Sequence, residues 1–245
     1  MNTANNLDKS VPNHAIGEEE RFKTDFYDYL DTPENSSRYT IAMDAIKRLS
    51  ANRSLKILDV GCGHANIANY TDDEMEYVGI DHSQIAIEYC TEKFPNHTFV
   101  TGDAQNYLEN SEPFDIIICC GFLFHNVDKN TLVRNNDKLM IEKCLSRLTS
   151  QGYLVIISPF AYSDAVGFQL FDQAKWKLNN IELVLSECKG NRVWQSMALQ
   201  IGAGNRAKNQ TEVPDWWTPA DRGGNFNRYS GTYLGSWTLI LEPKD

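Results

Sequence analysis

The chain of 245 residues carries 23 Lys+Arg against 33 Asp+Glu, a formal net charge of −10, with 42% hydrophobic residues. That acidity argues against a general nucleic-acid binder, whose affinity rests on neutralising phosphates, and the length suits one large domain whose core needs no disulfide staple. No apolar run approaches the ~20 residues of a membrane span, and residues 1–10, MNTANNLDKS, lack the apolar stretch of a signal peptide.

Residues 1–17 are polar and aperiodic and read as a flexible arm, followed by a single domain over 18–245. Residues 18–30 have helical spacing, with Phe22, Phe26, Tyr29 and Leu30 on one face behind an acidic start. Pro33 ends that run, and Ser36 or Ser37 is expected to cap a second helix with Ile41, Ala45, Ile46 and Leu49 on one side. Together, residues 18–50 form an expected helical lid. From Leu55 the pattern changes. Strands are expected at 55–60, 77–80, 98–100, 114–120 and 153–157, with helices near 65–70, 83–93 and 132–148. Unbroken apolar runs such as IIICC and YLVII predict strands buried on both faces, and alternation with helices predicts a parallel sheet covered on both sides. Residues 159–245 differ. A helix is expected near 165–178, a hairpin from 181–188 and 193–201 around Gly190-Asn191, and a last strand at 233–241 after a polar loop over 202–228. The six cysteines, Cys62, Cys90, Cys119, Cys120, Cys144 and Cys188, form no C-x-x-C pair. They read as packed, reduced thiols of a cytoplasmic protein, with neither a disulfide framework nor a metal site.

Three strand ends carry chemistry. The first is LDVGCGHA, a strand running into a glycine turn that lets backbone approach a ligand and exposes helix N–H groups. Asp59 precedes Gly61 by two residues, and where a nicotinamide fingerprint has its third glycine this chain has Asn66, with Ala65 the small residue nearby. The second is Asp81, 20 residues past Gly61 at the end of the next strand, where a carboxylate can accept both hydrogen bonds of a ribose diol or serve a helix N-terminus. The third is Asp103 in TGDA, placed to meet the amine of an adenine ring or to stand as a solvated loop acid.

This set resembles the class I, Rossmann-like S-adenosylmethionine-dependent methyltransferases, through LDVGCGHA, GIDHS, GDA and FDIIICCGFLFH, over roughly residues 55–158. The resemblance implies an α/β fold, with a seven-stranded, mostly parallel sheet whose last strand is antiparallel and helices on both faces. It implies S-adenosyl-L-methionine as cofactor. Asp59, Gly61, Cys62 and Gly63 would form its glycine turn, Asp81 and His82 its ribose side, Asp103 and Ala104 its adenine side, and Cys120 the methyl-donor side. It also points to His125, after the fourth strand, as a general base for a hydroxyl acceptor or as a side chain packed on the cofactor edge. Methyl transfer needs little acid–base help, because the sulfonium is activated and alignment supplies much of the rate.

The fourth strand ends in Cys119-Cys120-Gly121-Phe122, without the Asp/Asn-Pro-Pro-aromatic run of nucleobase amino-methylating members or the Pro-Cys pair of cytosine C5 enzymes. A small molecule is therefore the expected acceptor, at oxygen or nitrogen, with no nucleic-acid or membrane partner; the oligomeric state stays open. Aromatic groups outside the sheet, Phe26 and Tyr27 before it and Trp216 and Trp217 in the long loop, are the candidates for acceptor contact or for ordinary packing. Two other readings share these residues: a cofactor-binding subunit without turnover, and a nicotinamide oxidoreductase.

Overall fold

The computed structural model describes residues 22, 33–50, 53–121, 123, 135–163, 193–203, 228–229 and 232–244. Helix α1 (Pro33–Ser50) leads into β1 (Leu55–Val60), the 3-10 turn Asn66–Tyr70, β2 (Met75–Asp81), α2 (Gln84–Lys93), β3 (Thr98–Thr101), α3 (Ala104–Asn110) and β4 (Phe114–Cys120). Then come α4 (Asn135–Ser146), β5 (Leu148–Ser163), β6 (Val193–Ala203), the two-residue β7 (Arg228–Tyr229) and β8 (Thr232–Lys244). The sheet order is β3-β2-β1-β4-β5-β8-β6, with β7 beside β8. The strands β1 to β5 are parallel, and β8 runs antiparallel to both β5 and β6. The expected seven strands and antiparallel last strand are thus present, with β7 as an addition. The order reverses between β1 and β4, where open α/β sheets place their ligands.

Strands buried on both faces explain the unbroken apolar runs. Ile57, Ile116, Ile118, Val155 and Ile157 meet Ala42, Met43 and Ile46 of α1, Ile67 and Cys90 in one buried cluster. Because side chains alternate along a strand, Leu58, Ile117, Cys119, Leu154 and Ile156 face the other way, and all are 0% exposed. That second layer includes α3 and α4, which Lys143 of α4 joins by an ion pair to Glu109 of α3. Fully burying one such Ile or Leu stabilises the fold by about 1.5–3 kcal/mol relative to exposure.

Three expectations change here. Helix α1 starts at Pro33, which fits the first turn because its missing N–H has no intrahelical partner there. Ser36 and Ser37 therefore lie inside the helix rather than capping it. The buried face runs through Tyr39, Ala42, Met43 and Ile46, so α1 is built into the core. The segment at 65–70 forms a short 3-10 turn in place of an α-helix. Helix α3 was not expected; Asp103 caps it, its side chain accepting from Asn106 N. Val193–Ala203 pairs with β8, while the helix expected near 165–178 and the 181–188 arm lie outside the described residues.

At the amino edge of the sheet, Asp115 stitches three elements. It accepts from Lys56 N at 3.0 Å and from Thr149 Oγ1 at 3.1 Å, and Arg53 lies 3.8 Å away. Asp115→Ala leaves a part-buried β1 N–H without its partner, so urea unfolding is expected to show a loss of about 1–2 kcal/mol. Ligand binding at the opposite edge should be unchanged.

Candidate functional site

The site is built at the carboxyl ends of β1 and β2. Leaving β1, the chain makes three left-handed turns in five residues: Gly61 at φ 69°, Gly63 at φ 53° and Ala65 at φ 51°. Glycine takes the first two without steric cost; Ala65 takes the third at some strain, fully buried. This is the role the sequence left open for a small third residue. The turn is tied inward. Gly61 N and Cys62 N donate to Ile80 O at 2.8 and 3.1 Å, and Ala65 N donates to Cys62 O at 2.8 Å. Gly63 N donates to Asp81 Oδ2 at 2.9 Å. The expectation that the turn offers a row of helix N–H groups is therefore corrected: these four are already satisfied, and no α-helix follows.

Asp81, 7% exposed, holds two segments at once. Its other oxygen accepts from Ser83 N at 2.9 Å, and Ser83 in turn caps α2 by accepting from Ala86 N at 3.3 Å. Ordinary carboxylates offer about four acceptor sites, so lone pairs remain for a diol. His82 is 64% exposed with Nδ1 3.3 Å from Asp81 Oδ1. Asp103 is exposed and caps α3 at 2.9 Å through Oδ1, with Ala104 opening that helix.

Asp59 is the most unusual group. It is 2% exposed, and its Oδ2 accepts from Tyr77 Oη at 2.6 Å. Its Oδ1 is buried with no hydrogen-bond partner among the described residues, as is Asn66 Oδ1. Burial pushes the Asp59 carboxyl up to about 7, with Tyr77 opposing and Asp81 adding to the shift. A buried acceptor without a donor costs free energy, so this carboxyl is suited to a ligand that brings a positive hydrogen-bond donor. Around it, Arg38 Nη2 donates to Tyr39 Oη at 2.9 Å. Burial pushes the half-buried Cys120 thiol up to about 12, Arg38 opposing and Asp59 adding. It stays an S–H group, which agrees with a space-filling part rather than a nucleophile.

Phe22 comes down on the turn. Its ring atom lies 3.7 Å from where a Cβ on Gly63 would sit, and its ring centroid is 5.3 Å from that of His64. Phe22, which precedes α1 in the chain, therefore reaches the glycine turn. The structure brings Asp59, Gly61, Cys62, Gly63, Asp81 and His82 to one edge, with Cys120 at the end of neighbouring β4 and Asp103 and Ala104 beyond β3. Candidates His125, Phe26, Tyr27, Trp216 and Trp217 lie outside the described residues. The structure adds Tyr77, Tyr39, Asn66 and Cys90. Tyr77, Tyr39 and Cys90 owe their places to pairing between elements far apart in the chain, which local spacing cannot signal, whereas Asn66 follows the turn directly.

A family model described as a methyltransferase domain matches residues 51–211. The chain belongs to that family. Among curated methyltransferases, the phthiotriol/phenolphthiotriol dimycocerosates methyltransferase of Mycobacterium tuberculosis is 35% identical over 68 residues, covering 26% of this chain and 25% of that protein. The match thus spans about a quarter of the curated relative's length. Among solved structures, the plantazolicin methyltransferase BamL, bound to a triazolic desmethylPZN analog and SAH, superposes with a TM-score of 0.58 at 16% identity, over 94% of this chain and 92% of that one. The N-methyltransferase NodS from Bradyrhizobium japonicum WM9, bound to S-adenosyl-l-homocysteine, gives 0.54 at 15% identity, over 93% and 96%. At these identities the likeness concerns the fold. Within this methyltransferase domain, the sheet's far half extends past the glycine-turn edge. Strand β4 ends at Cys120 opposite Ile157, while β5 continues to Ser163 against β8. Six further residues in extended form project about 20 Å.

Proposed function

We propose that this chain transfers the methyl group of S-adenosylmethionine to a small-molecule acceptor, at oxygen or nitrogen, by direct in-line displacement. The observation that carries the reading is the buried Asp59 Oδ1, unpartnered among the described residues, beside a glycine turn in which the N–H groups of Gly61, Cys62, Gly63 and Ala65 are internally bonded. A dinucleotide would need those N–H groups for its pyrophosphate and would set that anion near a buried carboxyl, so the oxidoreductase reading is disfavoured. S-adenosylmethionine carries no phosphate and has an ammonium at its amino-acid end. Asp59 Oδ1 and Asn66 Oδ1 are the acceptors suited to that ammonium. Asp81 supplies the remaining lone pairs for the ribose hydroxyls, with His82 beside it. Asp103 and Ala104 would meet the adenine, and Cys62 and the two glycines would keep the turn thin. When bound, the sulfonium supplies an activated methyl donor, and this chain's part is to orient the acceptor and exclude water.

Acceptor contacts are assigned to Phe26, Tyr27, Trp216 and Trp217, which precede α1 and the projecting β8 in the chain. The layout is an arm over 1–17 and one domain over 18–245, with 18–50 and 159–245 flanking the 55–158 core. No described helix is long and apolar enough to cross a membrane, and described cysteines that form no disulfide suit a cytoplasmic setting. Calorimetric titration with S-adenosylhomocysteine and with NADH tests the cofactor, and methyl transfer to a metabolite panel tests turnover. Binding of NADH alone would overturn the reading; binding of S-adenosylhomocysteine without any turnover would leave a silent subunit.

His125 is assigned a positioning role beside the cofactor. His125→Ala is expected to lower the single-turnover rate less than about tenfold and to keep the pH profile. A general base would instead give about 10²–10⁴-fold loss and abolish a rise near ~6.5.

A further inference from the structure

The glycine turn rests on sulfur. Cys90, 0% exposed on α2, points its thiol at Gly63 O at 3.1 Å. Cys62, inside the turn, aims its thiol at the same carbonyl at 3.9 Å. Room for the Cys62 sulfur exists because position 79 of β2 is glycine: a Cβ there would stand 2.9 Å from Cys62 Sγ and 2.8 Å from the Phe99 ring. Gly63 is thus gripped at both ends, its N–H by Asp81 at 2.9 Å and its carbonyl by Cys90.

We propose that Cys90 is a positioning residue for the cofactor turn, its thiol fixing the Gly63 carbonyl and so the left-handed course of the chain past the cofactor. This rests on reading the turn as the cofactor site. A thiol suits the task because it packs in an apolar cluster as a small hydrophobe and still donates a weak hydrogen bond. Hydroxyl groups would donate more strongly but cost more to bury. The bond needs the S–H form. The neighbouring Cys90, burial and the charges of Asp59 and Asp81 push the Cys62 thiol well above its usual range, which keeps Cys62 protonated and unreactive.

The test separates affinity from stability. Cys90→Ala removes the donor; Cys90→Ser keeps a donor in a less apolar group. S-adenosylhomocysteine affinity is expected to fall about three- to tenfold in Cys90→Ala, the size of one net hydrogen bond, and to stay within about twofold in Cys90→Ser. Stability by urea unfolding should fall in both, and the KM for acceptor should not move. Affinity that tracks stability, with Ser as weak as Ala, would show packing alone and overturn the proposal, as would equal binding by all three. If either variant fails to fold, Cys90→Thr against Cys90→Val repeats the comparison at matched volume, with Thr expected to bind more tightly and equality overturning the idea. Parent protein that binds no S-adenosylhomocysteine would overturn the cofactor reading itself, a result distinct from a parent that binds and variants that bind alike.

Discussion

Asp81→Ala is expected to weaken S-adenosylhomocysteine binding by about 2–4 kcal/mol, roughly 30- to 1,000-fold, while the protein remains folded by circular dichroism. Two effects act together. The carboxylate would lose its bonds to the ribose diol, each charge-assisted. It would also release Gly63 N and Ser83 N, which it now accepts from at 2.9 Å each, so the turn and the start of α2 lose their common anchor. Asp81→Asn separates them. The amide keeps one acceptor oxygen for the turn but has no charge, and its NH₂ faces hydroxyls or N–H groups where an acceptor is needed. Its affinity is expected to fall between parent and alanine. Calorimetry on the three proteins checks the ranking; alanine-variant affinity equal to the parent's within error removes Asp81 from the cofactor site.

How far the sequence carries depends on what each element leans on. Strands β1 and β4 match their expected bounds, 55–60 and 114–120, because both lie in the middle of the sheet and every pairing direction rewards apolar residues. Strand β5 was legible only at 153–157, where it meets β4; its extension to Ser163 is held by backbone pairing with β8, which leaves no hydropathic trace. Helix α3 buries Leu108 alone, and one anchor makes no period. The turn at Gly61 and Gly63 was legible because positive φ favours glycine, and Asp59 and Asp81 stood out as acids within or closing apolar strands. Cys90 and Tyr77 were not: a cysteine in a helix and a tyrosine in a strand look like core until the fold sets one on Gly63 O and the other on Asp59.

Asp59 is where stability and function oppose each other, and Asp59→Asn should expose it. In the folded protein the carboxyl is held up at about 7 by burial, against an ordinary value of ~3.9 in the unfolded chain. Between those values the native state keeps a proton that the unfolded state has lost. This group's contribution is therefore full below ~3.9, declines as pH rises, and is gone above about 7, a span on the order of 4 kcal/mol. Asparagine cannot ionise and can still accept from Tyr77 Oη, but its NH₂ would occupy the place of the unpartnered Oδ1 and lack an acceptor, at a cost of about 1–3 kcal/mol. Net, the variant should gain about 1–3 kcal/mol at pH 8 and gain nothing at pH 5, by urea unfolding. Cofactor binding should move the other way. An ammonium on Oδ1 favours the carboxylate, so binding by the parent expels a proton, and its affinity should rise from pH 6 to pH 8 and level off above the free-state value near 7. The variant should lose that pH dependence and bind about 10- to 100-fold more weakly at pH 8, the range of one hydrogen bond to a charged group. Calorimetry in two buffers of different ionisation enthalpy reads the proton count directly. No proton release by the parent, or a variant as pH-dependent as the parent, would mean that the buried carboxyl answers to something other than the cofactor's cation.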